Sequence, residues 1–447
     1  MDILSAARAQ MGMSLAFHMV FAACGIGMPL LMVMAEGMWL RTGRPHYLQL
    51  ARKWGKATGL LFAIGAVSGT ALSFELGLLW PRFMELAGSI VGPAFALEGF
   101  AFFIEAIFIG LYLYGWDRLS PFVHWLTGIP VVISGLLSGI LVVAVNAWMQ
   151  IPVGFEIGPS GKLTHIDPLA TFRSPAWLTM AIHSSLSCYI AVGFAVAGVY
   201  AFGMLRGRRD DYHRSGLALA MALATLTALV QPISGDFNGR IDAEHQPAKL
   251  AAMEALFESK AGAPLLIGGI PDVASGEVHY AIEIPYGLSL LAHHDPHAVV
   301  RGLNEFPADE RPNVLLVHFG FQVMVGCGFA LILLGLGFWW ARWRSRSVES
   351  PWLLRAIIIG SPLGFLALEA GWFVTELGRQ PWTIYRVMRT SQAVTPAADV
   401  PSSFLVFTAV YLGLAVALVV LLLRLAKGKV DSAAPATEVA REHAHGA

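Results

Sequence analysis

The sequence predicts an all-α integral membrane protein: nine transmembrane helices, the N-terminus outside, the C-terminus inside, and one long extracytoplasmic loop. Three observations carry that expectation. Apolar residues make up 56% of the 447 and charged residues only 13%, whereas a soluble domain carries about 25% charged side chains. Nine stretches are apolar over the roughly 20 residues a helix needs to cross a hydrocarbon core of about 30 Å. Lysine and arginine divide unevenly between alternate connections, and short loops rich in them stay in the cytoplasm.

The first span is expected near residues 11 to 40. No basic cluster precedes its apolar run and no small-residue cleavage pattern follows it, so it reads as a retained span and not as a signal peptide. Five more are expected near 57–80, 92–115, 122–149, 176–205 and 215–233, and the last three near 314–341, 353–376 and 402–424. Connections on one side hold 17 basic residues, among them Arg41, Arg52, Arg208 and Arg342, against 7 in the short segments of the other side. The chain then divides into helices one to six (1–233), an outer loop (234–313), helices seven to nine (314–429) and a disordered cytoplasmic tail (430–447). The outer loop carries 12 acidic and 5 basic residues. Its segment QPAKLAAMEALFES, 246–259, opens with a proline suited to a first helical turn and reads as a helix. The remainder, with Gly268, Gly269 and Pro271, reads as irregular loop.

Several function classes drop out. Basic and acidic residues tie at 30 each, leaving no positive field to hold nucleic acid. Cys24, Cys188 and Cys327 lack CxxC spacing and read as small packing residues. The lack of an evident internal repeat weakens, without removing, a transporter reading.

The informative residues are polar groups inside the spans, which are costly in hydrocarbon and usually functional. His18, Glu98, His183 and Glu376 lie on four spans in the outer membrane half, and Met324 adds a fifth. A lone histidine can simply bond a neighbouring helix and a methionine usually packs. Their convergence, with no lysine or arginine inside the spans to pair them, points instead to a metal or to protons. Glu98 and Glu105, seven apart, share a helix face about 10 Å apart along the axis, as a proton path requires, and Glu369 and Glu376 repeat the spacing. Glu36 and Glu75, nearer span ends, read as interfacial. A histidine and methionine on different helices suit a six-coordinate haem iron that only passes electrons, while a carboxylate or lone histidine leaves a position open for oxygen.

The segments FALEGFAFFIEAIF (95–108), GWDRL (115–119), QPAKLAAME (246–254) and above all GRQPW (378–382) resemble subunit I of the cytochrome bd-type quinol oxidases, over essentially the whole chain. The resemblance implies a haem-bearing subunit of a terminal oxidase in the bacterial inner membrane that oxidises quinol outside and reduces oxygen to water. It implies a low-spin haem b ligated by His183 and Met324, and a pair, a high-spin haem b and a haem d chlorin, served collectively by His18, Glu98 and Glu376. Trp372 matches a tryptophan between haems, and Glu105 an acid on the proton route, to which Ser138 and Asn146 can contribute. Lys249 and Glu254 match the quinol-oxidising residues of an outer loop of the short type, although five residues apart they would not share a face of a regular helix. Arg379 and Trp382 are expected to secure the haem region. Gln322 stands where many relatives carry arginine. It removes a positive charge near the low-spin haem, which should lower its potential, and resembles the cyanide-insensitive branch. The implied partners are a second large haem-free subunit, a small single-span peptide and membrane lipid. Two other readings compete: a quinol-linked b-type electron carrier that does not reduce oxygen, and a proton-coupled transporter.

Overall fold

The computed structural model describes residues 2–159, 161–344 and 349–427; the tail expected to be disordered lies outside them. Among the described residues nine helices are long and apolar enough to cross a bilayer. They are α1 (Ile3–Thr42), α2 (Pro45–Leu79), α3 (Pro81–Tyr114), α4 (Pro121–Gln150), α5 (Trp177–Leu205), α6 (Asp211–His245), a broken eighth span and α9 (Val314–Arg344), closed by a ninth that ends the described chain. The eighth span is α10 (Pro351–Gly360) followed by α11 (Leu363–Gly378), interrupted at Ser361 and Pro362. The sequence reads it as continuous, but Pro362 has no N–H to offer the preceding turn. The ninth span, α13 (Val400–Lys427), follows a short turn of helix, α12 (Thr390–Ala393).

Helices α2, α3, α4 and α10 each open with proline in their first turn, where its missing N–H has no intrahelical partner to lose and its φ is already helical. Small residues set how closely the spans approach. A Cβ on Gly364 of α11 would lie 2.6 Å from the Ala191 backbone of α5, and one on Gly198 of α5 would lie 2.4 Å from the Ser361 side chain. Close approach of α5 and the eighth span therefore requires glycine at both positions.

Helix α6 continues to His245, beyond the expected end of its span. In the outer loop, the helix expected over 246–259 is α7 (Pro247–Met253), followed later by α8 (Gly287–His293). Helix α7 stops because Ala255 turns left-handed, at φ 50°, and the Leu256 N–H returns to the Ala251 carbonyl. That is the usual glycine-terminated helix end, built here on an alanine, so no glycine announces it. The segment expected to be irregular forms an antiparallel hairpin of Leu265–Asp272 and Glu277–Ile284. Gly268 and Gly269, both at positive φ, are built into the strand itself. Pairing passes from Gly268–Ala281 to Ile270–His279 and leaves Gly269 without a partner, the mark of a local irregularity that glycine accommodates.

Candidate functional site

His18 on α1 and His183 on α5 are held alike. His18 Nδ1 is 2.9 Å from Ser68 Oγ on α2, and His183 Nδ1 is 2.8 Å from Ser234 Oγ on α6. Each serine hydroxyl donates to a carbonyl of its own helix: Ser68 to Ile64 or Gly65, Ser234 to Gln231. A hydroxyl has one proton, so each accepts from the imidazole, which fixes the tautomer with the proton on Nδ1 and turns a lone pair outward on Nε2. This is how a metal-ligating histidine is oriented by a partner behind it. At His183 the Gln231 side chain donates to Nε2 at 3.2 Å and to the His183 carbonyl at the same distance. Met324 on α9 faces α11 where residue 371 is glycine; a Cβ there would sit 3.0 Å from the sulfur. Trp372, also on α11, packs against a buried cluster that includes Met19 and Ala23 of α1 and Cys188 of α5, the helices that carry both histidines.

The acids are tied together through α4. Ser138 donates to Glu98 at 2.8 Å. Asn146, eight residues on, donates to Glu376, whose other oxygen pairs with Arg379 at 2.5 Å. Arg379 is 3% exposed, and its Nε and Nη1 find no acceptor among the described residues. Glu105 is buried against Gly25 and Gly135, with one oxygen unpaired, and Glu369 also keeps an unpaired oxygen. Trp382 follows GRQP into a short strand and lies under the Arg389 guanidinium.

The outer loop is fastened onto this region. A Cβ on Gly378 would meet Lys249 Cγ at 2.7 Å, so α7 lies against the GRQPW turn because residue 378 is glycine. Lys249 reaches Asp242 at 3.1 Å. Glu254 is 4% exposed with Oε2 unpaired, and burial pushes its carboxyl up to about 8. Neither residue is the solvated charge that a polar loop would suggest.

Gln322 does not stand free beside Met324. Its amide donates to the Leu266 carbonyl at 3.1 Å and accepts from the Gly268 N–H at 2.9 Å. One turn earlier, His318 places Nδ1 2.8 Å from the Met253 carbonyl and Nε2 3.1 Å from that of Gly268. Sequence reasoning missed His318, whose partners are backbone atoms of a distant segment. Both side chains pin the hairpin and α7 to α9. Gln322→Leu leaves the two strand groups unpaired, at about 1–3 kcal/mol each. Protease cleavage of the hairpin in the folded protein is expected to accelerate about tenfold or more, and an unchanged rate would remove Gln322 from this role.

Two acids near the span ends are fully enclosed by the protein: Glu36 and Glu75 are 0% and 1% exposed. Glu75 accepts from Gln10 at 3.0 Å and Ser14 at 2.9 Å, and Glu36 meets His124 at 2.7 Å.

The profile of the cytochrome bd terminal oxidase subunit I family matches residues 6–430. This chain belongs to that family. It is 38% identical over 428 residues to a putative cytochrome bd menaquinol oxidase subunit I of Bacillus subtilis, covering 95% of this chain and 96% of that one. It is 28% identical over 462 residues to a cytochrome bd-II ubiquinol oxidase subunit 1 of Escherichia coli, covering 88% and 90%. The solved bd oxidase from Geobacillus thermodenitrificans superposes with a TM-score of 0.91 at 38% identity, over 95% of this chain and 98% of that one. The protein is therefore a multi-pass inner-membrane subunit of a quinol:oxygen oxidoreductase, within a multi-subunit complex that uses haem, and the carrier and transporter readings are not favoured. The donor set suits a bd oxidase. Among the described residues no three His, Cys, Asp or Glu side chains form a metal cage. A haem iron asks the protein for only one or two axial ligands, and the unpaired Arg379 donors suit a carboxylate such as a haem propionate.

Proposed function

We propose that the subunit holds three haems: a low-spin haem b between His183 and Met324, and a high-spin haem b and a haem d chlorin served together by His18, Glu98 and Glu376. The observation that carries this reading is the pair of serine-locked histidines, each with its lone pair on Nε2. The haems supply the iron centres that pass electrons and reduce oxygen; the chain's own residues bind quinol and manage protons. Quinol is bound where α7 meets the outer ends of α6 and α11. Lys249, steadied by Asp242, offers a charged donor to a quinol oxygen, and Glu254 takes up a quinol proton and releases it outside. Protons consumed in forming water come from the inner side through Glu105, Ser138 and Glu98, while Asn146 and Arg379 hold Glu376 in place. Charge is thereby separated across the membrane without a pump. Exposed Phe100, Phe103 and Ile107 on α3 face lipid or the second, haem-free subunit, and a single-span peptide completes the complex.

The test is a reduced-minus-oxidised spectrum of the purified complex. A far-red chlorin band that shifts with carbon monoxide is expected beside the b bands. Low-spin b bands alone would return the carrier reading, and no haem at all the transporter reading.

A further inference from the structure

The outer loop does not stand clear of the spans. Its hairpin, Leu265–Asp272 with Glu277–Ile284, runs along α9. The turn lines one cavity with Arg311 and Val314 at the outer end of α9. Further in, His318 meets the Gly268 carbonyl, and Gln322, two turns from Val314, bonds Gly268 and Leu266. Helix α8 packs on the base of the hairpin, where a Cβ on Gly287 would lie 2.8 Å from the Leu265 Cβ. His294, which closes α8, is 3.3 Å from Asp236 of α6. Hairpin and helix together therefore reach from α9 across to α6.

Both helices fix the level of these contacts. On α9, exposed Trp340 and Trp343 beside Arg342 and Arg344 mark the inner interface, where such aromatic belts form. Gln322 lies about 27 Å of helix outward of Trp340, and Asp236 on α6 about 33 Å outward of Arg214. A hydrocarbon core is about 30 Å thick, so the base of the hairpin and the end of α8 stand where its outer boundary falls. Composition follows that level. At the base, Leu265 pairs with Ile284 and Ile267 with Ile282, all four on one face because strand residues alternate. Ile267, Ile282 and Ile284 are exposed, as are Leu290 and Leu291 of α8; the one charged residue of the base, Glu283, is on the opposite face. Toward the turn, exposed Ile270 and Val273 are interleaved with Asp272, Ser275, Glu277 and His279. Between the two lies Tyr280, 91% exposed and held at φ 62°, a conformation rare for a bulky residue at a level that favours tyrosine. The flanking helices also expose apolar residues here, Phe319 and Val323 on α9 and Ile233 and Phe237 on α6. The strand edge toward α9 has backbone groups bonded by His318 and Gln322, as a low-dielectric surrounding demands.

We propose that the hairpin and α8 form a flap seated in the outer leaflet, with Ile267, Ile282, Ile284, Leu290 and Leu291 against lipid acyl chains and the turn in water. This part of the outer loop is thus a lipid-binding surface. A protein partner would not require the change from apolar to polar residues to coincide with the membrane boundary, whereas lipid does. The seat also fixes α7, because His318 bonds both the hairpin and the Met253 carbonyl.

The experiment is photocrosslinking of the whole complex in vesicles of phosphatidylethanolamine and phosphatidylglycerol. Benzoylphenylalanine replaces Ile282 in one preparation, Phe319 of α9 in a second as the lipid-facing reference, and Glu277 in a third. Glu277 lies about 16 Å of strand from Ile282 toward the turn, beyond the roughly 5–10 Å to which an interfacial element sinks. Mass spectrometry after illumination is expected to find phospholipid adducts at position 282 in a yield like that at 319, and at least tenfold fewer at 277. Adducts from position 282 to another subunit or to a second copy of this chain would overturn the lipid seat. So would a lipid yield at 282 no higher than at 277, which would place the base of the hairpin in water. Haem spectra check assembly, and should the Ile282 replacement fail to assemble, the same replacement at Ile267 on the paired strand decides the matter. The crosslink reads lipid contact alone, so its failure leaves the quinol roles of Lys249 and Glu254 standing.

Discussion

Replacing His183 with alanine is expected to abolish the low-spin b band of the reduced complex and leave the far-red chlorin band in place. The imidazole is the stronger of the two proposed ligands, because Ser234 fixes its Nδ1 proton and aims Nε2. Met324 offers only a neutral thioether, which does not hold the iron alone. His18 lies on a different helix with its own serine, Ser68 on α2, so the second centre keeps its support. Ser234→Ala is the graded version: it frees the ring without removing it, and loss of such a partner typically costs about 10–100-fold in affinity or activity. Pyridine haemochrome analysis and low-temperature difference spectra measure both. A low-spin band of wild-type amplitude in His183→Ala would move the ligand elsewhere.

The nine spans were legible because each needs only a long apolar run, and hydrocarbon tolerates little else. His18, His183 and Met324 were legible as polar or polarisable residues inside such runs, although their serine partners were not: the pairing of Ser68 with His18 joins residues 50 apart on different helices. The outer loop was harder. Its hairpin contains Gly268, Gly269 and Pro271, all unfavourable in strands, and is held from outside by His318 and Gln322. Helix α7 ends at an alanine in a conformation that glycine normally marks. The burial of Glu36 and Glu75 was not legible because distance from a span's end measures depth along the helix, whereas burial depends on which face the neighbouring helices cover. His124 gave no sign in the sequence of its acid partner 88 residues away.

Quinol oxidation is expected to rise with pH up to about 8 and then level, through Glu254. Its carboxyl, buried and half unpaired at the end of α7, is pushed up to about 8, against about 4.3 for an exposed glutamate. At neutral pH it is mostly protonated, and a carboxyl that is to accept a quinol proton must first be ionised. The ionised fraction grows about tenfold per pH unit below the folded value, so initial rates with a soluble quinol should approach that slope between pH 6 and 7.5. Stability runs the other way. A group whose folded value is raised stabilises the fold fully below about 4.3 and loses that contribution as pH rises through about 8. Melting temperature should therefore fall across the same window in which activity rises. Glu254→Gln, neutral throughout, should turn over slowly with a flat pH profile and show a smaller decline in melting temperature. An equally steep pH–rate profile in Glu254→Gln would assign the titration to another group and remove Glu254 as the proton acceptor.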